Sequence, residues 1–135
     1  MAQDRRKRGF DTMTIASGDT AAFGPGASDD GRWGLSHLIP GDQVDEFEEF
    51  YASGDYTDTG VYQMNDSGNV LMVTEHIDYD NERIVYIAGA FRMAEAADLV
   101  RAAMDRGKLH TYVRTLDQTI LGTFEHDDPS DFFPD

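Results

Sequence analysis

The run Ile84-Val85-Tyr86-Ile87-Ala88 is apolar at every position. A strand with one face in water alternates apolar and polar side chains, so a run without alternation needs cover on both faces. The chain must therefore build a layered structure around this segment. At 135 residues it fits one domain, which at this size buries about two thirds of the surface of its unfolded chain. Neighbouring segments supply partners for the strand. Residues 70–78 alternate, with Leu71, Val73 and Ile77 on one side and Met72, Thr74 and His76 on the other. Residues 59–65 are strand-like, and Asp66-Ser67-Gly68-Asn69 and Tyr79-Asp80-Asn81-Glu82 are turn clusters between the strands. A three-strand meander follows.

Two helices flank the meander. Pro40-Gly41-Asp42 precedes Val44, Phe47, Phe50 and Tyr51, which recur at spacings of three and four, so a short helix is expected over about 42–52 with Asp42 as N-cap. Residues 93–106 place Ala96, Leu99, Val100, Ala103 and Met104 on one helical face, and Gly107 is a natural C-terminal stop. Residues 109–125 are β-rich, either one bent strand or a hairpin turning at Asp117-Gln118. The expected fold class is α+β. An antiparallel sheet of about four to six strands carries two helices on one face, in the order α-β-β-β-α-β(β). Three regions are expected: a basic head and irregular Gly-rich arm over 1–41, a compact domain over 42–128, and an acidic aromatic strap over 129–135. Residues 13–16 and 21–23 could form one or two strands in the arm, with Gly24-Pro25-Gly26 and Asp29-Asp30-Gly31 as its turns.

The chain carries 26 acidic against 11 basic residues, a formal charge of −15, and no Cys, so disulfide and thiol chemistry are excluded. Eight Phe, six Tyr and one Trp with clear periodicity mark a folded acidic body instead of a disordered acidic tail. The acids are 19 Asp to 7 Glu and the bases 9 Arg to 2 Lys, a choice that minimises exposed hydrocarbon. In this the composition resembles that of proteins from salt-in halophiles of the haloarchaeal type. The resemblance implies a hydrated surface suited to a medium where salt screens charge and drives apolar surfaces together. It is one of composition and names no family. No apolar run approaches the roughly 20 residues of a membrane span, and no apolar stretch follows the charged start, so a cytoplasmic protein is expected, or a virion component if the source is viral.

Arg5, Arg6, Lys7 and Arg8 give residues 1–8 a local +3 against −18 for the rest. Four phosphate contacts would lose about four to five decades of affinity between ~0.15 M and several molar salt, so nucleic acid is a poor partner there and contact with protein the better reading. Trp33 and the pair Phe132-Phe133 are the other candidate partner contacts, each weighed against self-pinning to the chain's own core. No metal site is preformed, because the four His form no H-x-H or H-x-x-x-H pair. His76, His110 and His126 could form one only if the strands brought them together. Asp78 to Glu82 begins like a calcium loop but has Arg83 in place of the required Gly and Gly89 in place of the closing Glu. No Ser stands in a nucleophile-elbow setting, and no catalytic residue or cofactor is assigned.

Two functions are expected from these features. The first is a non-enzymatic interaction or assembly protein adapted to high salt, such as a subunit of a larger complex, a halophilic virus particle included, or an accessory regulator. The alternative is a small-molecule or metal-binding domain with His76, His110 and Tyr112 lining an open sheet face.

Overall fold

The structure, a computed structural model, describes residues 2–26 and 32–133. The expected Asp29-Asp30-Gly31 turn and the Pro134-Asp135 end of the strap lie outside the described residues. The chain runs α1 (Ala2–Lys7), β1 (Asp11–Ala16), β2 (Thr20–Phe23), β3 (Gly34–Leu38), α2 (Val44–Ala52), β4 (Asp58–Asp66), β5 (Asn69–Asp78), β6 (Arg83–Arg92), α3 (Ala97–Arg106), β7 (Leu109–Arg114) and β8 (Ile120–His126). Short 3-10 turns lead into α2 and α3, and another spans Ser130–Phe132.

The class is mixed α+β, but there are two four-stranded sheets instead of one. The first has the order β1-β6-β5-β4 and the second β2-β3-β7-β8. The difference originates in residues 11–41, where an irregular arm was expected and three strands form. β1 pairs parallel with β6, Asp11 to Ala16 against Arg83 to Ala88. β3 pairs parallel with β7 and antiparallel with β2. Thr12, Thr14, Ile15 and Thr20 favour strand, but the Gly, Ala and Asp among and around them do not, and long-range pairing makes these segments strands. Between β1 and β2 the chain crosses from one sheet to the other at Ser17 to Asp19. There the Ser17 amide still donates to Ala88 while the Gly18 amide already donates to Leu38.

The sheets pack face to face, and apolar clusters fill both ends of the space between them. At one end Met13, Ile15, Val85 and Ile87 meet Val113, Phe124 and, from α2, Phe47. At the other, Val70, Met72 and Phe91 meet Leu35 and Leu109, with Leu99 and Ala103 of α3. The two helices thus serve opposite ends of the core. Ile84, Val85, Tyr86 and Ile87 are all buried. Their inner face meets the second sheet, and Phe10, which follows α1, packs with Ile84 and Tyr86 on the outer face.

Residues 109–126 form the hairpin, and Gln118 in its turn takes φ 70°. Gly107 closes α3 at φ 65°, donating its amide to Ala103. Three details differ from the periodicity. Asp42 lies in the 3-10 turn, so α2 starts after Gln43 with no side-chain cap, and Met104 of α3 is mostly exposed. Asp78 is fully buried in a turn that consumes its oxygens. Burial pushes its carboxyl up, but the Asn81 side chain and the Asp55 and Asn81 amides outweigh that and hold it below the usual range.

Candidate functional site

Strand alternation sorts the polar residues of β5 onto two faces. Thr74 and His76 point with Met72 into the space between the sheets, while Glu75 points outward with Leu71, Val73 and Ile77. Each face has its own arrangement.

On the inner face, His76 and His126 of β8 have ring centroids 5.4 Å apart, and His76 stacks on Phe124 at 4.2 Å. The His126 nitrogens meet Thr59 Oγ1 at 3.0 Å and Thr111 Oγ1 at 2.8 Å. His37 of β3 joins the same layer, with Thr20 Oγ1 2.9 Å from its Nδ1. His110 sits on the opposite face of the second sheet. There it meets Trp33 edge-on at 4.9 Å and lies 3.5 Å from Glu125. Hence His76 and His126 come together while His110 does not. Among the described residues, no group of three His, Asp or Glu side chains is placed to hold a metal ion.

His126 also borders a cleft of about 190 Å³ between β4 and β8, whose mouth carries Asp58, Glu125, Asp127, Asp128 and Asp131. Ser130 donates to Asp128 and lowers its proton affinity, and Lys108 does the same to Glu125. The shifted carboxyls, Asp78, Asp117, Glu125 and Asp128, all move down. None of the four is thereby held protonated as a general acid.

On the outer face of the first sheet, Glu75 is buried and ligated from two sides. Arg5 of α1 donates through Nε and Nη2 at 3.2 Å each, and the Tyr86 hydroxyl donates at 2.7 Å. The carboxylate holds the Arg5 guanidinium above its ordinary value, and burial, followed by the hydrogen bond to Glu75, pushes the Tyr86 phenol up. Arg5 therefore fastens the basic head to the sheet, and Arg6 adds a bond to Thr12 Oγ1 at 2.7 Å, while Lys7 and Arg8 are exposed. Since Arg5 remains partly exposed, Arg5→Ala is expected to cost about 2 kcal/mol, chiefly by stranding Glu75. Adding Glu75→Gln should recover part of that loss in denaturant unfolding, a coupling that a double-mutant cycle measures. Without recovery, the pair would not be what fastens the head.

The rest of that face is open. Three rows cross β4, β5 and β6: Tyr62-Val73-Ala88, then Met64-Leu71-Ala90, then Asp66-Asn69-Arg92. Tyr62, Met64 and Leu71 are 49%, 63% and 50% exposed and form a ridge. Beside it Ala88, Gly89 and Ala90 line a groove of about 540 Å³.

The other candidate contacts lie inside the molecule. Trp33 is buried under Arg106, whose guanidinium is 5.2 Å from its ring, and Phe132 and Phe133 share its cluster. Sequence reasoning missed His37, the Arg5–Glu75–Tyr86 contact and the apolar ridge. The alternation of 70–78 could have flagged the Leu71 side, but Arg5 and Glu75 are 70 residues apart and no local pattern joins them.

No curated protein and no solved structure is significantly similar to the chain. Residues 1–134 match the family of unknown function DUF7529, and the chain belongs to that family.

Proposed function

We propose that this protein is a non-enzymatic assembly protein that pairs with a second copy of itself through the open half of the first sheet, as one subunit of a larger complex. The observation that carries this is the ridge of Tyr62, Met64 and Leu71 beside a floor of small residues. Exposed large side chains clustered on one sheet face mark an interaction surface. The charges at its edge favour a second copy. Asp66 on β4 and Arg92 on β6 stand at the same end of the face, one on each side of Asn69. A two-fold axis along β5 lays β4 of each copy over β6 of the other. The ridge then enters the groove, and each Asp66 meets the other copy's Arg92, as an isologous contact requires.

Two bodies of charge −15 repel one another, and salt shortens that repulsion to about 3 Å at 1 M while strengthening apolar association. Pairing should therefore tighten with salt, in keeping with a protein built for a halophilic cytoplasm or virus particle. Sedimentation velocity in molar KCl and in dilute buffer tests this. The expected result is a dimer favoured by salt and abolished by Leu71→Glu, a substitution at an exposed position that leaves the fold intact. Asp66→Arg and Arg92→Asp should each weaken the dimer, and together restore it. A monomer in both media, or a dimer indifferent to Leu71→Glu, would overturn the proposal. The small-molecule alternative finds no support in the geometry, because His76 lies between the sheets while His110 and Tyr112 lie on the far face of the second one.

A further inference from the structure

Three of the four histidines lie between the two sheets: His37 on β3, His76 on β5 and His126 on β8, 2%, 1% and 4% exposed. Threonine hydroxyls from four strands hold them: Thr20 of β2 on His37, Thr74 of β5 on His76, and Thr59 of β4 with Thr111 of β7 on His126. The layer lies between the two apolar ends of the core. His37 Nε2 and His76 Nδ1 are buried with no hydrogen-bond partner. A neutral ring leaves one nitrogen lone pair unused, whereas a protonated ring would bury an N–H and a charge together.

The charged surroundings differ from ring to ring. Beside His37 stands Arg114, itself paired to Asp19 at 2.6 Å. Beside His76 stand His126 and His37, with buried Asp78 two residues along its own strand. Around His126 are His110, Glu125, His76 and the cleft carboxylates Asp58, Asp127, Asp128 and Asp131. Arg114 opposes a proton at His37, and at His126 the opposing His110 outweighs the favouring Glu125. What sets His126 apart is position, since it alone of the three borders the acidic cleft and is the ring a proton from solvent reaches first.

We propose that the histidine layer is an acid-operated release: neutral, it fastens the two sheets together, and protonation, entering at His126 from the acidic cleft, parts them along β4 and β8. A charge on His126 faces His76 at 5.4 Å, so the second proton is accepted only as the sheets separate, and the release is cooperative.

Burial, with Arg114 next, lowers His37 to about 4, and burial, with His110 next, lowers His126 to about 4. Burial, followed by His126 and His37, holds His76 well below its ordinary value. A histidine exposed by opening titrates at about 6.5, so the open form binds more protons than the closed one wherever pH is below that. The closed form is fully favoured above about 6.5 and weakens as pH falls; His37 and His126 add little further loss below about 4. At pH 5 each such histidine raises the open-to-closed ratio about 30-fold, and the three together on the order of 10⁴-fold. The lowered carboxyls lose their contribution from their ordinary values of 3.8 and 4.5 downward, at and below the acid edge of this window.

Amide hydrogen exchange and denaturant unfolding of the full chain in molar KCl, from pH 7.5 to 5, test the release. The expected result is a steep loss of protection, first in β4 and β8, with each histidine ring in the closed form staying neutral by NMR down to pH 5. His76→Phe, which keeps the stack on Phe124, combined with His126→Gln, which keeps an amide for the two threonines, should remove about 10³-fold of the acid sensitivity. Histidine rings that titrate near pH 6.5 without opening, or a double variant with the acid sensitivity of the parent, would overturn the proposal. If the double variant fails to fold, the ring titration in the unaltered protein still decides.

Discussion

Gly34→Ala is expected to destabilise the protein by about 3 kcal/mol or more, lowering Tm by roughly 10 °C. Gly34 opens β3 at φ 152°, in a region that side chains rarely adopt. A Cβ there would overlap the His110 carbonyl oxygen and lie 2.9 Å from its carbonyl carbon. Both are backbone atoms of β7, held by the parallel pairing of β3 with β7, and cannot swing aside as a flexible side chain can. Relief requires β3 to shift and so weakens the pairing in the middle of the second sheet. Gly41→Ala is the control, because a Cβ there meets nothing within 4 Å, and its effect should stay within about 0.5 kcal/mol. Thermal unfolding of the two variants side by side checks this. Equal melting temperatures would show that β3 yields freely to the added methyl group.

Phe132→Ala should cost about 3–5 kcal/mol. Phe132 is essentially inaccessible, 4.6 Å from the His126 ring and in one cluster with Trp33, Leu35, Leu99 and Leu109. The turn that presents it is tied to β4 by Gln63, whose amide donates to the Asp131 carbonyl at 3.1 Å. Loss of the ring would leave a cavity where the chain end, β4 and β8 meet. An exposed partner anchor at this position would leave the isolated protein's stability unchanged, so denaturant unfolding of Phe132→Ala separates the two roles for the aromatic end. Removal of residues 129–135 should act through the same loss of packing, and its effect on assembly would then be read through a weakened fold.

How far each element was legible depended on where its determinants lie. The meander β4 to β6, the stripes of α2 and α3 and the hairpin β7–β8 rest on periodicity and turn residues within some twenty positions, and those signals are printed in the chain. β3 carries no such signal. Its Gly-Leu-Ser-His-Leu becomes a strand because β2 and β7 satisfy its backbone groups from both sides. The same holds for the histidines: alternation sets Thr74 and His76 on one face, but only the facing sheet decides that this face is interior and that His126 and His37 share it.

The sequence by itself determined that the chain is acidic, of mixed α+β class, with an interior strand covered on both faces, because composition and short-range periodicity act on each segment alone. Tertiary structure alone decided that the cover is a second sheet, that Arg5 fastens the basic head to Glu75, and that the aromatic end is core while Tyr62, Met64 and Leu71 remain outside. Those outcomes depend on pairings between residues tens of positions apart. Their free energy is set by which surfaces exclude water together, a property of the assembled sheets that no local stretch carries.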